Sequence, residues 1–120
     1  MCLDLDGQGQ KGVSGSPDDQ LCVWNLNLEE FKCTRKQITN PGVASVRIRQ
    51  DGRVLGVGGW DSRIRIFSWK SLKPLAVLDF HTKTIQCIEF SKGAVGDYGI
   101  LMAAGSNDEK ISLWNLYGNL

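Results

Sequence analysis

Gly58-Gly-Trp-Asp-Ser-Arg-Ile-Arg-Ile-Phe-Ser-Trp69 is the stretch that decides the fold, because its pattern occurs twice more in the chain. The other copies are Gly15-Ser-Pro-Asp-Asp-Gln-Leu-Cys-Val-Trp-Asn-Leu26 and Gly105-Ser-Asn-Asp-Glu-Lys-Ile-Ser-Leu-Trp-Asn-Leu116. Each copy has a glycine, an aspartate three residues later, and an alternating apolar run that ends in a large aromatic side chain. Alternation over a short run bounded by turn residues indicates a half-buried β-strand.

The spacing of the three copies identifies the repeated unit. Their terminal aromatic side chains, Trp24, Phe67 and Trp114, lie 43 and 47 residues apart, and the longer interval contains an insertion at residues 93–99. A period of about 40 to 45 residues with four short strands per unit is characteristic of the blades of a β-propeller. The sequence therefore predicts an all-β fold of about three antiparallel four-stranded blades.

The predicted blades cover residues 1–38, 43–79 and 81–116, and the last blade lacks its outer strand because residues 117–120 are too few for one. Within the blades, strands are expected at residues 2–5, 12–16, 21–25, 31–38, 44–48, 54–58, 64–68, 74–79, 85–90, 100–105 and 111–115. Asp51-Gly52 predicts a hairpin with a tight primed turn, because this dipeptide tolerates a positive φ.

The predicted ring is incomplete. Propellers close with about four to eight blades, so a partial propeller leaves two apolar sheet faces and two strand edges exposed. We interpret the chain as the C-terminal part of a ring of about seven blades, or as a product that must pair with another chain. The remaining blades are expected from the full-length chain.

Composition and charge exclude several classes of function. The 120 residues are 42% hydrophobic with a net charge of +1, whereas binding to a nucleic-acid backbone depends on neutralising many phosphates. No apolar run approaches the roughly 20 residues that span a bilayer, and Asp4 and Asp6 interrupt the region where a signal peptide would be apolar. We therefore expect protein partners, with no membrane partner and no nucleic acid.

The cysteines indicate a reducing compartment rather than a metal site. There are four, without a C-x-x-C pair, and only one histidine to join them, which argues against zinc. We predict no metal ion and no cofactor. Free, mostly buried thiols fit a protein of the cytoplasm, the nucleus or both. Cys22 and Cys87 fall in predicted strands and are interpreted as core residues.

Candidate catalytic features have structural explanations. Gly7-Gln-Gly-Gln-Lys-Gly12 matches the G-x-G-x-x-G pattern of dinucleotide-binding loops, but that mechanism requires a helix directly after the loop, and the residues that follow predict a strand. We interpret it as a hairpin turn. His81 has no second histidine, and Asp18, Asp61 and Asp108 recur once per copy. Catalysis needs one convergent site, so we predict no catalytic residues and no enzyme.

These residues resemble the WD-repeat β-propeller family over nearly the whole chain. The resemblance implies that a blade is braced by a His before strand a, a Ser or Thr in strand b, an Asp in the b–c turn and a Trp in strand c. Matched by position, the bracing residues are Ser14, Asp18, Trp24, Asp61, His81, Asp108 and Trp114. Ala104 stands at the hydroxyl position of the third blade. Because Val57 and Phe67 replace the Ser and Trp of the second blade, apolar packing is expected to hold that blade.

The resemblance also implies a function. Family members of this kind are non-enzymatic scaffolds or adaptors that present loops to protein partners. This chain is most similar to a G-protein-β-like group, which is associated with the assembly or stability of PI3K-related kinases and with DNA-damage signalling. The helix with which true β subunits bind γ has no counterpart in this sequence.

Two residue groups are candidates for partner binding. Trp60 precedes the turn aspartate of the second blade, and an aromatic anchor beside Arg63, with Arg65, Asn40 and Pro41 as further candidates, has the composition of an interaction hot spot. The alternative is that Trp60 covers the neighbouring blade.

The second group is a concentration of arginines in the second blade. It consists of Arg47, Arg49, Arg53, Arg63 and Arg65, and alternation places several on one sheet face. This face is either a solvated surface or, as an alternative function, a module that binds phosphate or an acidic peptide.

Overall fold

A computed structural model describes residues 1–7, 9–26, 32–38 and 40–116, and in these the chain forms strands joined by turns. The strands are β1 (Cys2–Leu5), β2 (Lys11–Gly15), β3 (Gln20–Asn25), β4 (Lys32–Gln37), β5 (Val43–Ile48), β6 (Val54–Gly59), β7 (Ile64–Ser68), β8 (Pro74–Leu78), β9 (Ile85–Phe90), β10 (Leu101–Ser106) and β11 (Ile111–Asn115). The predicted all-β class is confirmed. Predicted and observed strand ends differ by one residue at most, and the predictions on residues 31 and 117–120 lie outside the described residues.

The strands form three separate antiparallel sheets, each a meander in which consecutive strands are neighbours. Sheet 1 has the order β1-β2-β3-β4, sheet 2 the order β5-β6-β7-β8, and sheet 3 the order β9-β10-β11. These are the units that the predicted partial propeller requires, with strands a to d in sheets 1 and 2 and strands a to c in the described part of sheet 3.

Both predicted hairpin turns form, with one correction. The Gly9 N–H donates to the carbonyl of Asp6 in the β1–β2 turn, and a strand rather than a helix follows it. In the β5–β6 turn the Gly52 N–H donates to the carbonyl of Arg49 at 2.8 Å. Gly52 has a φ of +71°, whereas Asp51 is not among the residues with positive φ. The predicted primed turn is therefore wrong, because Gln50 and Asp51 are the central residues of the turn, neither has a positive φ, and the left-handed Gly52 follows them.

Two apolar cores hold the sheets together. One lies between sheets 1 and 2 and consists of Val13, Leu21, Val23, Ile38, Val43, Val46, Leu55, Val57, Phe67 and Trp69. The other lies between sheets 2 and 3 and consists of Val54, Ile64, Ile66, Ile85, Ile88, Phe90, Met102 and Ala104. Sheet 2 is covered on both faces, and β6 is buried along its whole length.

The glycine that begins each sequence copy sets the distance between sheets. A Cβ on Gly15 would lie 2.3 Å from Val43 Cγ1, and a Cβ on Gly58 would lie 2.6 Å from Ile85 Cγ2. In both cases the first residue of the next sheet's inner strand occupies the space. A larger side chain at these positions would push the sheets apart, which explains why the motif requires glycine there.

The two outer faces of the stack carry exposed apolar side chains. On sheet 3, Ile111 is 77% and Leu113 is 69% exposed, although the equivalent residues of sheet 2, Ile64 and Ile66, are fully buried against sheet 3. On sheet 1, Leu3 and Leu5 are exposed in the same way. The predicted open faces of an incomplete ring are thus present.

Candidate functional site

The loops of the three sheets are divided between two ends of the stack by the strand directions. The upper end consists of the b–c turns at residues 16–19, 60–63 and 107–110 and of the described residues of the d–a loops at 38–42 and 79–84. The lower end consists of the a–b turns, the c–d turns and the insertion at residues 93–99. Trp60 and the other predicted partner-binding residues belong to the upper end or to the strand beside it.

A series of hydrogen bonds connects the upper-end loops across all three sheets. The Gly42 N–H donates to the carbonyl of Asp18, and the Trp60 N–H donates to the carbonyl of Gly42, both at 3.0 Å. The Thr84 hydroxyl donates to the carbonyl of Trp60 at 3.4 Å, and the Asn107 N–H donates to the carbonyl of Thr84 at 3.1 Å. The backbone of Trp60 is therefore fixed on both sides.

The indole of Trp60 packs on Gly42 and leaves half of the residue exposed. Gly42 has a φ of +97°, and a Cβ built on it would lie 2.3 Å from Trp60 Cδ2. The side chain is nevertheless 51% exposed. The two interpretations of Trp60 are therefore compatible, because the residue covers the d–a loop while part of its surface faces solvent.

Asn40 and Pro41 differ in what they can offer a partner. Pro41 is exposed. Asn40 instead donates through Nδ2 to Asp61 Oδ2 at 2.9 Å, so its amide supports the turn of sheet 2. Asn40 thus contacts Asp61 in sheet 2 as His81 contacts the equivalent Asp108 in sheet 3.

Arg65 does not face solvent, which corrects its assignment as a partner-binding residue. Its guanidinium makes two hydrogen bonds to the carboxylate of Asp61, at 3.1 Å to Oδ1 and 2.7 Å to Oδ2, and the Arg65 side chain is only 7% exposed. Burial raises the pKa of Asp61, but the hydrogen bonds from Arg65 and Asn40 outweigh it and lower the pKa below its ordinary value. Sheet 2 is thus braced by an Asn–Asp–Arg network as well as by apolar packing.

Arg63 remains available at the upper end. Its Nε lies 3.8 Å from Asp79 Oδ2, and the Arg63 and Asp79 side chains are 46% and 65% exposed. An exposed pair at this distance contributes little to stability. Arg63 and Trp60 are therefore the members of the predicted hot spot that combine exposure with a recognition chemistry.

The five arginines of the second blade do not form one face. Arg49 is 2% exposed and paired with Asp51 at the lower end, whereas Arg63 belongs to the upper end. Arg47 lies on the inner strand β5 with Glu89 of β9 at 3.6 Å. Because these guanidinium groups point to different ends and partners, the predicted arginine face does not exist.

In sheet 3 the predicted bracing residues His81 and Trp114 both contact the hydroxyl of Ser112, a residue that was not predicted to take part. His81 Nδ1 lies 3.0 Å from Asp108 Oδ2, and its Nε2 lies 2.8 Å from Ser112 Oγ. The Trp114 indole N–H donates to the same Ser112 oxygen at 2.8 Å. Burial raises the pKa of Asp108, but hydrogen bonds from the Thr82 N–H, His81 and the Lys110 N–H outweigh it and lower the pKa to about 2.

The hydroxyl has changed strands between sheets 1 and 3. In sheet 1 Ser14 of strand b pairs with Cys22 of strand c, whereas in sheet 3 Ala104 of strand b pairs with Ser112 of strand c. The sequence does contain a signal for this exchange. Ser112 lies two residues before Trp114, on the same face of β11, and opposite Ala104.

Sheet 1 has a shorter form of the network. The Trp24 indole N–H donates to Ser14 Oγ at 3.0 Å, as the resemblance implies. Asp18 accepts a hydrogen bond from the Gln20 N–H through Oδ1 and closes its own turn. This bond and one from the Ser16 side chain lower the pKa of Asp18.

The described residues contain no group of three or more His, Cys, Asp or Glu side chains that could hold a metal ion. Among the same residues, no helix is long and apolar enough to cross a membrane. The four cysteines are free thiols, and none is buried, since Cys2 and Cys22 are half-buried and Cys33 and Cys87 are exposed. The interpretation of Cys87 as a core residue is therefore wrong. Its side chain lies on the outer face of sheet 3, which no other sheet of the described residues covers.

Comparison with known proteins agrees with this architecture. The family described as the anaphase-promoting complex subunit 4 WD40 domain matches residues 15–93, and the WD domain, G-beta repeat, matches residues 72–115. Guanine nucleotide-binding protein subunit beta-like protein 1 of Mus musculus is 45% identical over 119 residues, which is 98% of this chain and 35% of that protein. The matching part is a C-terminal portion of the mouse protein.

Proteins of fungi are also similar. ASTRA-associated protein 1 of Schizosaccharomyces japonicus is 41% identical over 87% of this chain and 28% of its own length. The protein of the same name from Schizosaccharomyces pombe is 41% identical over 96% of this chain and 32% of its own length. The chain thus spans about a third of the length of the curated relatives it matches. With its repeated strands, its bracing networks and a family match over more than half of its residues, the chain belongs to the WD40-repeat family.

Proposed function

We propose that this chain is part of a non-enzymatic WD-repeat scaffold that binds protein partners through its upper end. The observation that carries the proposal is the half-exposed indole of Trp60, fixed by backbone hydrogen bonds on both sides and seated on Gly42. A rigid aromatic side chain loses little conformational entropy on binding, and tryptophan is enriched in interaction hot spots. Arg63 and Pro41 lie in the adjoining turn and loop.

The contacts of the charged groups at the upper end favour a structural rather than a catalytic role for them. Asp61 is engaged by Arg65 and Asn40, and Asp108 is engaged by His81. These pairs recur in successive sheets, whereas a catalytic site requires groups that converge on one substrate.

The finer proposal concerns the assembly that the scaffold serves. The names of the two fungal relatives describe an ASTRA-associated protein. Together with the G-protein-β-like resemblance, this supports a role in the assembly or stability of PI3K-related kinases and in DNA-damage signalling. The name of the mouse relative is not evidence that this chain binds a G-protein subunit.

Phosphate binding by the arginines of the second blade is the weaker alternative. Arg65 already has both of its guanidinium hydrogen bonds directed at Asp61, and Arg49 lies at the opposite end of the sheet. Arg53 and Arg63 are both exposed, but they lie in turns at opposite ends of sheet 2, so the convergence of cations that a phosphate group favours is lacking.

The test is the Trp60→Ala variant of the full-length protein, with Tyr98→Ala as the matched control. Tyr98 is an exposed aromatic of the insertion at the lower end. Proteins that co-purify with the wild type are quantified by mass spectrometry for each variant. We expect loss of a defined set of partners with Trp60→Ala and retention with Tyr98→Ala. Equal recovery with both variants, at unchanged folding, would rule out the upper end as the binding face.

A further inference from the structure

Strand β4 forms an edge of sheet 1 that no other described strand covers. It runs from Lys32 to Gln37, and each of its residues pairs with β3 in one unbroken register. The side chains of Cys33, Thr34, Arg35 and Gln37 are exposed. A regular edge of this length presents a row of unpaired main-chain groups, which is the template for the addition of another strand.

One hydrogen bond fixes which main-chain groups of β4 are free. The Ile38 N–H donates to the carbonyl of Asp19 at 2.7 Å, one step beyond the last pair of the β3–β4 register. Hydrogen-bonded and non-hydrogen-bonded pairs alternate along an antiparallel ladder. The N–H and C=O groups that point away from β3, toward the open edge, are therefore those of Cys33, Arg35 and Gln37.

The equivalent edge of sheet 2 is closed to such an addition. β8 begins at Pro74, which has no N–H, and its register with β7 shifts between the pairs Ile66–Ala76 and Phe67–Pro74. Proline and bulges are devices that prevent a natural edge strand from pairing. β4 has neither of them, although it occupies the same place in its sheet. Of these two outer strands, β4 is thus the one that can accept a partner.

The charges of β4 select among partners. Arg35 is exposed and forms no salt bridge with any described residue. Pairing of two copies of β4 would bring Arg35 and Lys36 close to their own counterparts, and like charges on opposite strands are destabilising. An acidic residue opposite Arg35 is attracted instead. Asp18 and Asp19 lie beyond the upper end of the strand, where each accepts a hydrogen bond from a glutamine N–H group.

The opposite face of β4 borders a groove between sheets 1 and 2. The groove has a volume of about 140 Å³ and is lined by Lys36, Gln37, Ile38, Arg65, Phe67, Pro74, Ala76 and Val77. Val77 is 57% exposed, and Arg65 directs both terminal nitrogens at Asp61. Residues of an added strand that lie opposite Thr34 and Lys36 would point toward this groove, since opposite residues share a face. Apolar side chains suit these positions, because they would cover Val77.

We propose that β4 binds an extended segment of a protein partner, which adds to sheet 1 as a further antiparallel strand. The segment places an acidic side chain opposite Arg35 and an apolar side chain on either side of it, opposite Thr34 and Lys36. Main-chain hydrogen bonds supply affinity, and the alternating side chains supply specificity. The proposal rests on the proposed scaffold role, but it concerns a surface separate from Trp60.

The probe is a peptide of about nine residues, which is within the usual range of strand lengths, with a central valine–glutamate–valine among threonines. Binding to the full-length protein is measured by calorimetry. Methylation of the glutamate N–H should weaken binding by at least about fivefold, because in the antiparallel arrangement that group donates to the Arg35 carbonyl. The matched control is methylation of the following valine N–H, which points away from β4 and should change affinity less than about twofold.

The same peptide series tests the side chains. Serine in place of both valines, or lysine in place of the glutamate, should each weaken binding to the wild-type protein. Absence of binding by every peptide, equal losses with the two methylated peptides, or equal affinity of all sequences would each overturn the proposal. The recovery of partners by Trp60→Ala tests the scaffold role separately, so failure of one leaves the other standing.

A charge reversal locates the bound peptide. Arg35→Glu should weaken the valine–glutamate–valine peptide by at least about fivefold, since it replaces an attraction with a repulsion. Arg53→Glu, which changes an exposed arginine at the lower end of sheet 2, is the matched control and should change affinity less than about twofold. The peptide with lysine in place of glutamate should bind Arg35→Glu more tightly than it binds the wild type, a gain that a misfolded variant would not show.

A second variant tests the main chain of β4 without a change of charge. Cys33→Pro removes an N–H that points toward the open edge and none that bonds to β3, so the thermal unfolding of the protein should change little. Peptide affinity should nevertheless fall by about threefold or more, because one main-chain hydrogen bond is lost. Unchanged affinity in this variant would contradict strand addition.

Two further measurements separate the proposed partner from its competitors. Sedimentation of the full-length protein without peptide should show no dimer that Cys33→Pro abolishes, and such a dimer would assign the edge to a second copy of the chain instead. Trp60→Ala should leave peptide affinity unchanged. Loss of peptide binding in that variant would place the peptide at the upper end and refute binding at β4.

Discussion

Arg49 Nη1 donates a hydrogen bond of 2.7 Å to the backbone carbonyl of Leu116, and this contact joins sheet 2 to sheet 3 at the lower end. Lys11 makes the equivalent contact between sheets 1 and 2, because its Nζ donates to the carbonyl of Trp69 at 3.2 Å. Trp69 and Leu116 occupy the same position of their sequence copies. At both interfaces a cation of one sheet therefore caps the end of strand c in the next.

Replacement of Arg49 by methionine should lower the free energy of unfolding by about 2 kcal/mol, because a charged hydrogen bond to the Leu116 carbonyl is lost and Asp51 loses its ion pair. Urea unfolding of the full-length protein measures the effect. Arg53→Met is the control, since that side chain is exposed. Equal stability of the two variants would show that the contact with Leu116 contributes nothing net.

Replacement of Ser112 by alanine should destabilise the fold by about 1 to 3 kcal/mol, because His81 Nε2 and the Trp114 indole N–H both lose their partner. Ala104→Ser in the same background should restore part of the loss, since residue 104 pairs with residue 112 across the strands. Thermal unfolding of the single and double variants measures both the loss of stability and its restoration. A double variant less stable than Ser112→Ala would contradict the exchange of positions.

Asp108 should make the fold sensitive to acid. Its pKa of about 2 lies below the ordinary value of 3.8, so its ionised form stabilises the folded state fully above about pH 4, and this contribution is lost as the pH falls toward 2. We expect the unfolding temperature to fall less steeply between pH 4 and pH 2 in Asp108→Asn than in the wild type. Asp97→Asn, in the exposed insertion, is the control and should retain the wild-type slope.

Replacement of Gly58 by alanine should cost about 1 to 3 kcal/mol, because the new Cβ would lie 2.6 Å from Ile85 Cγ2 and force sheets 2 and 3 apart. Gly93→Ala is the control, since no atom lies within 4 Å of its Cβ position. Denaturant unfolding compares the two. Gly93→Ala should be neutral or slightly stabilising, because alanine restricts the unfolded chain, so a loss of the same size in both variants would contradict the role of sheet spacing.

The fold was predictable because its determinants are local. Alternation within each short run fixes which residues of a strand share a face, and the turn aspartates of the three copies mark where the strands reverse. The ends of β2 and β10 were displaced by one residue because hydrogen-bonded pairing, rather than residue type, sets where a strand stops.

The candidate site was less predictable because burial of a polar residue depends on what another loop supplies. The pattern of β7 places Arg65 at the same register as Cys22 and Ser112 but does not reveal that Asp61 will bind both of its terminal nitrogens. Asn40 reaches the same carboxylate from a loop 21 residues earlier, a relationship that no single repeat contains. The exposure of Trp60 likewise depends on a residue of another loop, because its indole packs on Gly42.

The exchange of the hydroxyl from strand b to strand c bears on how such repeats are counted. A motif that requires serine or threonine in strand b would pass over the third copy because of Ala104, although the Ser112 oxygen lies within hydrogen-bond distance of both His81 and Trp114. What sheet 3 has in common with sheet 1 is an oxygen atom that accepts from the tryptophan indole, not the strand that supplies this oxygen. An intact bracing network is therefore identified by where the oxygen atom lies and not by which strand carries it.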